Sequence, residues 1–380
     1  MSDARRRARE RAAGAAPGEP EEWLALARDA VRRGHEGRAL ALALEGLRHH
    51  PDTAPLAALL PELGFPGAWP CEGGDAARRR AAPCCGPRRG VQRWRVELPG
   101  RPLGEPVVDA RGGAWVRVET AGLVRVGPEG ALVAARPDWP VDLPPLLVAG
   151  EPRGLDPLLG ELATGPGREV LRGADGSLYA CDGTRVLCVD ADGLPRWTGT
   201  ATKPLRLAGL DERLVAVASE HALAWLERAS GAWLPDVPLR RPASPALAVG
   251  DGRWLVSDAH ELTCLRPPER RWSLALSEPG PLALGGAGLI VASLAGVSCL
   301  DLERGEPRWQ APGLSVTQPP LVDADGAVYL VQGGDLIGLD PRGARRLRVG
   351  LGALGPLGPP VSGGPGLLYL TAGRSLVAVA

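Results

Sequence analysis

The chain has 380 residues but no Asn, and Lys203 is its only Lys among 44 basic residues. We read this skew as the codon bias of a GC-rich genome, not as Arg-specific recognition. Net charge is missing too: the 44 basic residues are balanced by 44 acidic ones, so no global field draws in nucleic acid or anionic lipid. No apolar run approaches the roughly 18 residues a spanning helix needs, so no membrane span is predicted. The opening stretch MSDARRRARERAAGAAPGEPEE is charged and lacks the apolar segment of a secretory signal. Residues 1–19 are predicted to be a disordered basic tail. G-x-S-x-G, H-E-x-x-H and P-loop motifs are all absent. No reactive constellation is therefore legible, and neither cofactor nor metal is expected. The expected partner is a protein whose identity the residues do not spell out.

What is abundant is punctuation. With 52 Gly and 39 Pro, long helices are disfavoured and many short elements joined by turns are predicted. Seven Cys, an odd count, are scattered along the chain. They are expected as reduced thiols in a cytoplasmic protein. Cys181, Cys188, Cys264 and Cys299 fall on predicted strands and are assigned to the core. Cys71, Cys84 and Cys85 with His49 or His50 would be a zinc set only by ignoring the missing C-x₂-C pair. The role of these three Cys stays open. His221 and His260 occupy equivalent hairpin positions, which points to repeat symmetry. The arginine runs Arg5–Arg7, Arg78–Arg80 and Arg88–Arg89 are expected to be solvated.

Residues 20–65 differ from the rest. Trp23, Leu26, Ala27 and Ala30 share one helical face, and Ala39, Leu42, Ala43 and Leu47 another. Gly34 should stop the first helix, and Pro51 follows the second. A third helix is expected in DTAPLAALLPELG. The pair resembles one tetratricopeptide repeat, with Ala30, Ala43 and Gly46 as departures. Such a module could offer a small peptide groove, or could cap the next domain, since one repeat cannot bury its own faces. Residues 66–90, rich in Gly, Pro and Arg, are predicted to be a linker.

From residue 91 one unit recurs roughly every 40 residues. CLDLERGEPRW places Asp301, Gly305 and Trp309 at fixed offsets, and CVDADGLPRW repeats them with Asp190, Gly193 and Trp197. AWLERASGAW keeps Trp233, CLRPPERRW keeps Trp272, and GLDPRGARRL keeps Asp340 and Gly343 with Leu347 in place of Trp. Ahead of each copy lie paired strand-like runs such as GLIVASLAGVS. The inner runs are almost continuously apolar, as in sheets covered on both faces. This predicts an all-β β-propeller of about seven four-stranded blades, or eight with one degenerate, carrying a small α-helical N-terminal module. The last unit stops after three strands. The strand at 91–98, bearing Trp94, is predicted to complete it and close residues 91–380 into a ring.

The Asp, Gly and Trp offsets resemble the docking motif of the pyrroloquinoline-quinone-type propeller repeats. That resemblance implies that the Trp fills the wedge between blades, with its indole N–H held by a buried acceptor. Losing such a Trp should cost about 3–5 kcal/mol. The resemblance also admits a quinoprotein dehydrogenase, with a quinone and calcium in the channel and adjacent cysteines above them. It further admits the lipid-anchored propeller of outer-membrane assembly, whose export and lipidation signals are not seen here. The function expected is a non-catalytic scaffold or protein-interaction platform. A channel that senses a small ligand is the other non-enzymatic alternative.

Overall fold

In the computed structural model, the described residues are 18–33, 36–50, 53–63, 69, 74–75, 78–140, 145–148, 151–153, 170–173, 175–190, 193–220, 222–238, 246–257, 260–276, 280–286, 288–293, 295–316 and 318–380. Three helices come first among the described residues: α1 (Pro20–Arg32), α2 (Glu36–His49) and α3 (Ala54–Glu62). Their apolar faces form one cluster around Trp23, Ala27, Ala43, Leu47 and Leu56, and Ala110 of the following domain packs against it. Gly46, where a tetratricopeptide repeat would have Ala or Ser, is dictated by space. A Cβ there would lie 2.7 Å from the Trp23 Cβ. Gly34 and Pro51, which the sequence reading used as helix ends, lie outside the described residues.

Most of the rest of the described chain is strands, with one 3-10 turn at Gly352–Leu354. β1 (Gln92–Glu97) is followed by the first sheet, β2 (Pro102–Val108), β3 (Ala114–Val118), β4 (Gly122–Val126) and β5 (Leu132–Arg136). A two-stranded sheet, β6 (Leu146–Val148) and β7 (Glu151–Arg153), comes next. The second sheet is β8 (Val170–Arg172), β9 (Leu178–Cys181), β10 (Arg185–Val189) and β11 (Pro195–Thr200). The third is β12 (Arg206–Leu210), β13 (Leu214–Ala218), β14 (Ala222–Glu227) and β15 (Trp233–Pro238). The fourth is β16 (Leu247–Gly250), β17 (Arg253–Ser257), β18 (Glu261–Arg266) and β19 (Glu269–Ala275). The fifth is β20 (Leu282–Gly285), β21 (Gly288–Ser293), β22 (Gly296–Leu300) and β23 (Pro307–Pro312). The sixth is β24 (Leu321–Val322), β25 (Val328–Gln332), β26 (Asp335–Leu339) and β27 (Arg345–Gly350). β28 (Val361–Gly364), β29 (Leu367–Ala372) and β30 (Ser375–Val379) form the seventh, and β1 is its fourth strand.

Each of the seven four-stranded sheets is an antiparallel meander. The first strands lie innermost: β2 packs on β28, β12 on β8 and β16, and β20 on β24. The middle strands are mostly buried, wholly so in β3 and β30, while the fourth strands are largely exposed, alternating in β23. That gradient explains the apolar inner runs, since a middle strand is covered by a neighbouring sheet on both faces. The two ends of the sheet-forming region meet in the seventh sheet. Val91 N–H donates to Ala380 O at 2.7 Å and Ala380 N–H returns the bond at 2.8 Å, with Trp94 paired to Ala378 in the ladder.

Candidate functional site

The seams between sheets repeat one construction. Trp94 donates its indole N–H to Pro128 O at 2.7 Å, Trp197 to Arg228 O at 2.8 Å, Trp272 to Leu302 O at 3.0 Å and Trp309 to Pro341 O at 2.9 Å. In each case the acceptor lies in the turn before the outer strand of the next sheet. The same turn carries a glycine directly under the ring: Gly130, Gly231, Gly305 and Gly343 respectively. Gly343 has φ +84°, and a Cβ there would lie 2.6 Å from the Trp309 ring. Both the left-handed backbone and the close approach therefore call for glycine.

The aspartates shape these turns. Asp301 accepts the N–H groups of Glu303 and Arg304 and an Arg308 guanidinium N–H at 2.6 Å. The Arg308 bond, and then the Glu303 N–H, hold its carboxyl below the usual range. Asp340 accepts Arg342 and Ala344 N–H, and Asp190 accepts Leu194 N–H. Gly193 lies in its turn at φ +83°. The position that would supply a Trp to it, on the preceding four-stranded sheet, is Ala134, paired to Arg125 ahead of a bulge. Two residues further on, Arg136 donates instead to Pro152 O in β7 at 3.0 Å.

Register corrects the reading of Trp233. Trp197, Trp272 and Trp309 all pair with a cysteine just ahead of a bulge: Cys188, Cys264 and Cys299. In the third sheet Leu234 faces Trp225 at the corresponding place, and Trp233 is one residue earlier. One step along a strand turns a side chain to the other face. Trp233 thus leans back over Gly199 of the second sheet and stays 39% exposed. Leu347 does hold the docking position, opposite Gly338, and Gly90 lies beside it across the seam.

Residues 78–90 are not a solvated tether. Leu284 N–H donates to Arg79 O, Val322 N–H to Arg80 O, and Ala82 N–H to Val322 O. Further on, Ala324 N–H donates to Cys84 O and Gly366 N–H to Cys85 O. The segment is thus stitched to β20 and β24 and to the turns after β24 and β28. Arg80 is 4% exposed and stands among the innermost strands. It pairs with Glu105 of β2, donates to Pro320 O at 2.7 Å and Pro360 O at 3.2 Å, and lies 5.3 Å over the Trp69 ring. Trp69 completes the set by donating its indole N–H to Glu105 at 3.2 Å. The sequence reading placed Arg78–Arg80 in water because an arginine run in a Gly- and Pro-rich stretch has that composition. The expectation of solvation fails at Arg80, which is buried, and Glu105 carries no sequence signal of its role as partner.

No reactive set emerges among the described residues, where no group of three or more His, Cys, Asp or Glu could hold a metal. Cys71 and His221 lie outside the described residues. His49 stacks on Trp23 in the helical module, at 5.6 Å between ring centroids. Cys84 and Cys85 are buried and form no disulfide with a described residue. Burial, and then the neighbouring Cys85, pushes the Cys84 thiol up to about 12. Burial, followed by Asp325 and Asp323, also raises Cys85. Burial likewise pushes the core thiols Cys264 and Cys299 up to about 11. The thiolate is the reactive form, so the folded protein is expected to resist a thiol-specific disulfide reagent at pH 8. The six described Cys, all buried, should label only on unfolding. Rapid labelling at Cys84 in the native state would contradict this. A quinone with calcium does not fit either. The donors gathered among β2, β24 and β28 are an Arg80–Glu105 ion pair, with the Pro320 and Pro360 carbonyls already bonded to Arg80.

A family model described as outer membrane protein assembly factor BamB matches residues 83–342. No curated protein matches significantly. Among solved structures, the computationally designed Ika8 protein is 10% identical over 76% of this chain and 99% of its own, with TM-score 0.60. The Pan2 WD40 domain of Neurospora crassa is 12% identical over 78% of this chain and 96% of its own, at 0.50. BamB from Moraxella catarrhalis is 15% identical over 70% of this chain and 79% of its own, at 0.41. At these identities the likeness shows the β-propeller fold alone.

Proposed function

Since the chain belongs to the PQQ-like propeller family of the outer membrane protein assembly factor BamB model, we propose that it is a non-catalytic platform for a protein partner. The observation that carries this reading is that the chain's own residues 79–85 are hydrogen-bonded to β20, to β24 and to the turns after β24 and β28, so the inner strands there are covered by the chain itself. What remains available is a rigid disc with loop-lined faces, locked by Trp seams, and function must come from those faces. We take the ring as seven-bladed and closed by β1, with β6 and β7 as the degenerate insertion. We take α1 and α2 as the single tetratricopeptide-like repeat, acting as a cap or second contact surface. A cytoplasmic location is in keeping with the free thiols of the six described cysteines.

Affinity capture with the full chain from its native host, read by mass spectrometry, is expected to recover a protein partner in near-stoichiometric amount. Recovery of background proteins alone would sink the platform reading. The family match favours a second reading, a role in outer-membrane assembly. Fractionation decides it, because that role requires the protein outside the cytoplasm.

A further inference from the structure

At the starting ends of β2 and β28, away from the Trp69–Val108 bridge at the far end of β2, lies an open pocket of about 760 Å³. Its size falls in the roughly 300–1,000 Å³ range of ligand clefts. Pro102, Pro319, Pro356, Pro359 and Leu357 supply aliphatic walls. Polar groups converge on it from separate stretches: Arg101, Gln318, Thr371 and Arg374. Thr371 is 6% exposed, and nothing among the described residues hydrogen-bonds its hydroxyl. The Arg101 and Arg374 guanidinium groups likewise have no carboxylate partner among the described residues. The one carboxylate lining the pocket, Glu105, is already neutralised by Arg80 and held by the Trp69 indole. Outside the pocket lining, Glu119, whose N–H donates to Arg101 O, and Glu97, opposite Ser375 in the ladder, are the acidic residues that adjoin the two arginines through the backbone.

We propose that this pocket takes an acidic peptide segment of the protein partner, with its carboxylates on Arg101 and Arg374 and a carboxylate or backbone oxygen on the Thr371 hydroxyl. The proposal rests on the platform reading and names the chemistry of its contact. Two guanidinium forks without a carboxylate partner among the described residues, beside a self-cancelled ion pair, leave the described pocket lining with an excess of two positive charges on a chain whose net charge is zero. Arginine forks suit planar carboxylates. A peptide fits better than single-stranded nucleic acid because the walls are proline and leucine. No aromatic side chain lines the pocket to stack a base.

The test is fluorescence anisotropy of the full chain with a labelled hexaglutamate peptide, with hexalysine as control. Saturable binding of hexaglutamate alone is expected. Arg101→Ala and Arg374→Ala should each weaken it about tenfold, and Thr371→Val, which keeps shape, should weaken it less. Arg304→Ala, on the exposed turn of Asp301, is the control and should change nothing. Equal binding by the double arginine variant would overturn the proposal. So would displacement by inorganic phosphate or oligouridylate at lower concentration than by unlabelled peptide. Host capture with the double variant separates the two readings. Partners kept by the variant leave the platform standing and remove this pocket from it. Partners lost only from the variant support both. No partner with either form sinks the platform reading, while peptide binding still judges the pocket.

Discussion

Arg80→Ala is expected to destabilise the folded protein by about 3–5 kcal/mol, the usual cost of breaking a buried ion pair by removing one partner. Arg80 is 4% exposed, and the side chain of Glu105 is 14% exposed. The substitution leaves the Glu105 carboxylate in a desolvated place without its counter-charge, while the Trp69 indole N–H still donates to it. It also strips a donor from Pro320 O and Pro360 O, in the loops entering β24 and β28. Most of the penalty is the orphaned charge, so it should fall when the charge goes too. Arg80→Met with Glu105→Leu is expected to recover a large part of the loss. Urea unfolding followed by tryptophan fluorescence would read both variants. An unchanged midpoint for Arg80→Ala would mean that residues 78–86 are not docked among the inner strands. A double variant as unstable as the single would mean that packing, not charge, holds them.

The legible and illegible parts of this protein divide along a physical line. The seams were legible because each one needs the same local chemistry. An Asp organises the turn, a Gly takes the left-handed position, and a Trp reaches back from the previous sheet. Repeating that need roughly every 40 residues writes a period into the chain. Even the exchange of Trp for Leu347 was visible, because Asp340 and Gly343 stayed in place. Trp233 shows the limit of residue identity, since register put Leu234 in the docking position and turned Trp233 to the other face. Segment 78–90 was illegible for a different reason. Its burial depends on Glu105, Pro320 and Pro360, which are 25, 240 and 280 residues from Arg80. Composition alone cannot separate such a strap from a solvated linker. One practical consequence is that a propeller fragment cut at residue 91 would lose Arg80 and Gly90 together, so it would not report on the propeller as it exists. The proline-walled pocket was hidden in the same way, because its polar groups come from stretches that meet only when the first, sixth and seventh sheets do.

The seam itself can be weighed by contrast. Trp309→Ala is expected to cost about 3 kcal/mol, the lower end for a large aromatic, because the ring is only partly covered. Three losses combine: the packing over Gly343, the indole bond to Pro341 O at 2.9 Å, and the wedge between the fifth and sixth sheets. Repacking cannot refill that space cheaply, since the Asp340 turn is pinned by the Arg342 and Ala344 N–H bonds. Trp233→Ala removes an equally large side chain from a strand of the same rank. It leaves no gap in a seam, only an uncovered Gly199, and should cost less than about 1 kcal/mol. For a chain of 380 residues, 3 kcal/mol corresponds to a fall in Tm of about 4 °C. Thermal scans of the two variants side by side therefore test the docking geometry, not tryptophan content. Equal shifts would show that the seams do not carry the disc's stability. A large shift for Trp309→Ala with a small one for Trp233→Ala is what the register requires.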